Sequence, residues 1–261
     1  MTRWWIPPLL AIQFLTRLPV PGLSRLTAET AKAGLVKSVV WFPVVGALVG
    51  GVTAATILLV EQFWPRVIAV IVALIVEARL TGAFHEDAVA DFCDGFGGGM
   101  TPSRIHEIMK DSRIGSYGAV GLGLTMALRA GLLIALPISL ILPALLASAS
   151  FGRWLAVAIM ATTDPFEPAN EQSGGLGKDV GGRTSIMQWL AATGLALPFL
   201  LPLLFALPTL TTAAIGTAML FLLWFRNFLL RHLGGVTGDC LGFAVYVGQI
   251  LILLAATAQL P

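Results

Sequence analysis

Long apolar stretches separated by short polar breaks dominate the chain, and their length decides the architecture. A helix needs about 20 mostly apolar residues to span the hydrocarbon of a bilayer. Windows of that kind fall at 38–60, 67–90, 117–136, 143–163, 186–206, 209–228 and 241–258. They predict an all-α fold, a polytopic helical bundle of about seven transmembrane helices forming a single membrane-embedded domain over 1–261. The weakest boundary lies between the third and fourth windows, where only Pro137 to Pro143 interrupts the apolar run. No internal repeat divides the chain into halves.

Composition points the same way. The 261 residues are 57% hydrophobic and 11% charged, with a mean hydropathy of +0.87. A soluble domain carries roughly a quarter charged residues, so membrane lipid must take the apolar surplus. The opening segment holds Pro7, Pro8 and Pro19 and no small-residue cleavage site, which argues against a signal peptide. It reads as an interfacial segment, with Trp4, Trp5 and Phe14 at headgroup depth and Arg3 and Arg17 in water.

Charge placement sets the orientation. With the N-terminus cytoplasmic, Arg3, Arg17, Arg25, Lys32, Lys37, Arg104, Lys110, Arg113, Lys178, Arg183, Arg226 and Arg231 fall in or beside cytoplasmic segments, and Arg66 lies outside. The polar, glycine-rich loops 91–116, 164–185 and 231–240 then all face the cytoplasm. Arg79, Arg129 and Arg153 sit inside predicted spans, where a charge is costly unless paired or facing a polar cavity, and Glu77 is one available partner. A helix-orienting ion pair and a ligand-facing role both remain open for them. The net charge of +2, without a basic run interleaved with aromatics, gives no support for nucleic-acid binding. Cys93 and Cys240 are far apart and read as packed small residues rather than zinc or disulfide partners.

The chemistry concentrates where the second window ends, in TGAFHEDAVADFCDGFGGG. Glu86, Asp87, Asp91 and Asp94 crowd there, and the last three are spaced i, i+4, i+7, on one face of a helix. Carboxylates stacked near a low-dielectric region repel one another, and a divalent cation relieves them. Hard oxygen donors without paired histidines or thiolates favour magnesium, manganese or calcium over zinc, and magnesium, which keeps waters and bridges substrate phosphates, fits a site with few ligands per metal. Glu86, Asp87, Asp91 and Asp94 are thus candidate metal ligands for Mg2+. His85 is either a hydrogen-bonded structural residue or a substrate contact.

The glycines of GFGGGMTPSRIHEIMKDSRIGSYG allow close backbone approach to a ligand, and Pro102 and Ser103 mark a short helix delivering Lys110, Asp111, Ser112 and Arg113 to the acidic face. Arg113 and Lys110 suit a diphosphate. Asp111 either completes a metal shell or pairs with Lys110 or Arg113. Two further loops, GGLGKDVGGR with Lys178 and RHLGGVTGDCLG with Arg231, Thr237 and Asp239, are candidate substrate contacts, as is Arg17 near the start. No soluble nucleotide-binding signature is present.

Six segments in order, FLTRLPVP, FPVVGALVG, FHEDAVADFCDG, IMKDSRIGSYG, GLGKDVG and GGVTGDCLG, resemble the cobalamin-5′-phosphate synthases, the adenosylcobinamide-GDP ribazoletransferases. The resemblance implies a magnesium-requiring enzyme of the bacterial inner membrane, with its active site facing the cytoplasm. It joins adenosylcobinamide-GDP to α-ribazole or α-ribazole 5′-phosphate and releases GMP. It maps the family's aspartate motif onto Asp87, Asp91 and Asp94 and its DSR motif onto Asp111, Ser112 and Arg113. Asp91 and Asp94 are the candidate bases, with Asp111 a third catalytic candidate. The chain departs from the family's HxDGLADxxDG at Ala88 and Glu86, and Gly242-Phe243 stands where Gly-Ala is usual. Membrane lipid is the expected surrounding, and a homo-oligomer is compatible with the sequence. The rival reading is an ion-coupled membrane transporter with a cytoplasmic-side acidic site, but the charges crowd one end, whereas carrier sites lie near the midplane between repeats.

Overall fold

The computed structural model describes residues 4–167 and 184–259. Helices α1 (Ile6–Leu15), α2 (Ala28–Ser38), α3 (Phe42–Val60), α4 (Arg66–Thr81), α5 (Phe84–Gly98) and α6 (Pro102–Met109) come first. They are followed by α7 (Ser116–Ala135), α8 (Ile141–Thr162), α9 (Ile186–Ala206), α10 (Pro208–His232) and α11 (Gly238–Thr257). Among the described residues there is no sheet, and a single isolated bridge joins Pro165 to Val236.

Helix α8 is the axis of the bundle. Nearly every residue from Ala144 to Met160 is buried, as expected of a helix that is apolar all round. Helices α3, α9 and α11 pack around it. The α3 contact is close because Gly46 and Gly50 lie against the Ala149 and Leu145 carbonyls, where a Cβ would overlap; small residues at crossings are how membrane helices gain contact without a hydrophobic driving force. The outer helices turn apolar side chains outward, as at Val120, Leu124, Leu197, Phe205, Leu220 and Trp224. Among the described residues six helices are long and apolar enough to cross a membrane, or up to seven if the bent pair α4–α5 is counted as one span. The protein is an all-α, membrane-embedded helical bundle.

The second predicted window, 67–90, is not one helix. α4 stops at Thr81, Gly82 and Ala83 both take left-handed conformations (φ 73° and 56°), and α5 leaves at 88° to α4. Left-handed backbone suits Gly82 but costs Ala83, which lacks that freedom. Arg66 donates to the Leu136 carbonyl (2.8 Å) at one end of the bundle, and Lys110 meets Asp239 at the other. Beyond the bend α5 packs along α7 and α11, from Glu86 beside Arg129 to Asp94 at Gly115. The weak boundary at Pro137 is a genuine break, with α7 ending at Ala135 and a short 3₁₀ turn leading into α8.

The buried charges resolve as an ion pair. Arg129 of α7 donates to both oxygens of Glu77 on α4 (2.7 and 2.8 Å), and Thr53 of α3 donates to the same carboxylate (2.7 Å). Tyr246 of α11 lies under the guanidinium, 5.2 Å from ring centroid to Cζ. Four helices are thereby tied together, and paired charge is the form in which ionised groups persist at such depth. Arg153, also buried, donates to the Ala149 carbonyl (3.0 Å), whereas Arg79 is exposed.

Candidate active site

Helix α5 carries four carboxylates, but the structure sends them in different directions. Asp87 is exposed and Asp91 half-buried on the open side. Asp94 is buried and accepts from the backbone N–H groups of Gly115 (2.6 Å) and Gly118 (2.8 Å). It therefore caps the start of α7, where free N–H groups favour an anion. Glu86 turns inward, its Oε1 3.7 Å from Arg129. His85 is buried as well, its ring edge-on to Phe84. Of the expected metal ligands, Asp87 and Asp91 remain together, while Glu86 and Asp94 hold α5 to its neighbours.

Asp239, in the first turn of α11, faces the same side of the bundle and pairs with Lys110 at 3.3 Å. Burial, together with the negative charges of Asp87 and Asp239, pushes the Asp91 carboxyl up to about 7, against the pull of Lys110. Such a carboxylate is short of positive charge. Thr237 acts as the N-cap of α11, accepting from the Cys240 N–H (3.3 Å), and its hydroxyl points at Met109.

Asp111 takes the salt-bridge alternative. It accepts from the Arg113 backbone N–H and, in two-pronged fashion, from its guanidinium (2.6 Å at Nη2), an arrangement that holds Asp111 at about 2. Ser112 and Arg113 are exposed beside it, and Arg231 is exposed at the end of α10. Lys178 lies outside the described residues.

A cavity of 220 Å³ opens next to Asp87, lined by Gln13, Phe14, Thr16, Arg17, Thr81, Gly82 and Phe84. Gln13, Thr16 and Thr81 were not singled out from the sequence. The readable signal was polar residues interrupting the apolar run IPPLLAIQFLT just ahead of Arg17.

Among the described residues no three or more His, Cys, Asp or Glu side chains are gathered into a metal-binding group. Magnesium does not demand such a cage, because it is commonly held by one or two carboxylates with waters and substrate phosphates completing the shell. The open pair Asp87 and Asp91, hard oxygen donors with an excess of negative charge, fits that mode.

The Cobalamin-5-phosphate synthase family matches residues 7–257. The chain belongs to that family. It is 38% identical over 247 residues to the adenosylcobinamide-GDP ribazoletransferase of Ralstonia pickettii, covering 93% of this chain and 91% of that protein. It is 35% identical to the enzyme of the same name from Vibrio cholerae, covering 97% and 93%. The Klebsiella pneumoniae enzyme of that name is 36% identical, covering 94% and 96%. No solved structure matches the chain.

Proposed function

We infer that the protein is an adenosylcobinamide-GDP ribazoletransferase of cobalamin biosynthesis. The observation that carries this reading is family membership along almost the whole chain, supported by acidic and basic side chains meeting at one end of the bundle. A ribose hydroxyl of α-ribazole or its 5′-phosphate attacks the phosphorus next to cobinamide. The new P–O bond completes a phosphodiester as the P–O bond to GMP breaks.

Phosphoryl transfer of this kind asks the protein mainly for alignment and charge neutralisation. Asp87 and Asp91 would hold magnesium, which when bound offsets phosphate charge. Lys110, fixed by Asp239, supplies a point charge to the diphosphate. Asp94 is engaged by two backbone N–H groups and Asp111 by Arg113. Asp91 is therefore the carboxylate we assign to accept the hydroxyl proton. Arg113, Ser112, Arg231 and Lys178 are proposed to meet the outer parts of the two substrates. We propose that the N-terminus and this end of the bundle face the cytoplasm from a bacterial inner membrane, a reading supported by the positive-inside distribution of Lys and Arg.

The test is product formation by purified protein in detergent, from adenosylcobinamide-GDP and α-ribazole 5′-phosphate, with and without magnesium. Magnesium-dependent appearance of the phosphodiester supports the assignment. Folded protein that makes no product but moves an ion-coupled solute across sealed vesicles would replace it with the carrier reading.

A further inference from the structure

The cavity beside Asp87 has a chemistry that the reaction scheme has not used. Its one cationic lining residue is Arg17. The residue is anchored by its backbone, whose N–H donates to the Leu80 carbonyl (2.7 Å), and Thr16 before it is buried and donates to the Ile12 carbonyl (2.6 Å). The guanidinium lies directly over Gly82, where a Cβ would overlap Nε. Left-handed Gly82 thus both turns the chain from α4 to α5 and leaves room for the Arg17 head. Phe14 is wedged between Phe42, stacked at 5.8 Å, and Phe84, edge-on at 5.8 Å, which fixes the wall of the cavity. Among the described residues no carboxylate pairs with Arg17, so its five donors remain available.

Size limits what enters. A volume of 220 Å³ lies below the roughly 300–1,000 Å³ of pockets that enclose a whole drug-sized ligand, so the cavity takes a fragment of a substrate. Gln13 adds an amide, and the Thr16 and Thr81 hydroxyls, whose protons go to the Ile12 and Glu77 carbonyls, are left to accept from sugar hydroxyls, a lining suited to a sugar rather than to an apolar ring. Arg17 lies near Asp87 and Lys110 near Asp91. The two aspartates are four residues apart on α5, about 6 Å along the helix, so cations stand at both ends of the Asp87–Asp91 face.

We propose that the cavity formed by α1, the Gly82–Ala83 turn and Asp87 is a nucleoside-phosphate subsite, with Arg17 binding the phosphate and Gln13, Thr16 and Thr81 the adjoining sugar. The inference rests on the transferase reading, which supplies two nucleoside phosphates, GMP and α-ribazole 5′-phosphate. Asp87 borders the same cavity and repels an anion, so phosphate binding there strengthens when a divalent cation covers the carboxylate.

Calorimetric titration of the full-length protein in detergent, with magnesium, tests this with GMP, α-ribazole 5′-phosphate and their dephosphorylated nucleosides as separate arms. At least one phosphate should bind wild type more tightly than its nucleoside, which identifies the source. Arg17→Gln should weaken that phosphate about 10- to 100-fold, the worth of a hydrogen bond to a charged group, and leave the nucleoside unchanged. Arg17→Lys, which keeps the charge, should fall between and controls for folding. Equal phosphate affinity in wild type and Arg17→Gln, or no phosphate preference in wild type, overturns the subsite. GMP release by wild type alongside either result leaves the transferase standing, whereas phosphate binding without any turnover supports the subsite and removes the transferase.

Discussion

Replacing Glu77 with glutamine tests whether the buried ion pair is a structural clamp. In the native protein Arg129 donates two hydrogen bonds to Glu77, and Thr53 a third. The side chains of both charged partners are almost fully buried, 2% and 5% exposed. Glutamine keeps the shape and one acceptor oxygen but removes the charge, so Arg129 is left with Glu86 at 3.7 Å. Removing one partner of a buried pair costs about 3–5 kcal/mol, because the remaining charge is uncompensated. Part of that cost is the loss of charge-assisted hydrogen bonds, each about 1.5–3 kcal/mol. The unfolding free energy in mixed micelles should therefore drop by about 3 kcal/mol or more for Glu77→Gln. In an Arg129→Met background the same change should cost much less, with a coupling of about 2–3 kcal/mol at the upper end of measured pairs. A loss below about 1 kcal/mol, or additive effects of the two changes, would refute the clamp.

Asp94→Ala removes the acceptor for the Gly115 and Gly118 N–H groups and should destabilise the protein by about 1–3 kcal/mol, whereas Asp94→Asn should lose less stability and keep more turnover than Asp91→Asn; equal loss of turnover in the two asparagine variants would make Asp94 part of the chemistry. Lys110→Met should raise KM for adenosylcobinamide-GDP about tenfold, a change of about 1.4 kcal/mol, and an unchanged KM would remove Lys110 from the diphosphate. Asp111 is held below its ordinary value by Arg113, so the pair's contribution is present above the unfolded carboxyl value and is lost only as pH falls through about 2. The pH–rate profiles of wild type and Asp111→Asn should accordingly share one shape between pH 5 and 9, and an inflection in that range found in wild type alone would contradict the pairing.

The spans were legible because a bilayer imposes a length and a polarity on every crossing, and α8, α9, α10 and α11 fall within a few residues of their windows. The bend at Gly82–Ala83 was hidden for the same reason: 67–90 is apolar enough to pass as one span, although Gly82 in the left-handed conformation is a readable helix stop. The i, i+4, i+7 spacing correctly placed Asp87 and Asp91 on one side of a helix. It could not reveal that Asp94 is drawn off by the start of α7, or that Glu86 approaches Arg129, 43 positions along the chain. Those pairings depend on how helices pack, which residue spacing within one helix does not encode. The Arg17 cavity was half visible: the cation stood out, while its polar companions became meaningful only when α1 was set against the α4–α5 turn.

GMP is proposed to leave at the Asp87–Asp91 face of α5. The most direct measurement is the rate of GMP release from adenosylcobinamide-GDP across a magnesium titration, for wild type and for Asp91→Asn protein of matched stability. Release should be saturable and magnesium-dependent in wild type and at least about 100-fold slower in the variant, the scale of general-base catalysis. Release by Asp91→Asn at the wild-type rate, with the same magnesium dependence, would contradict this proposal.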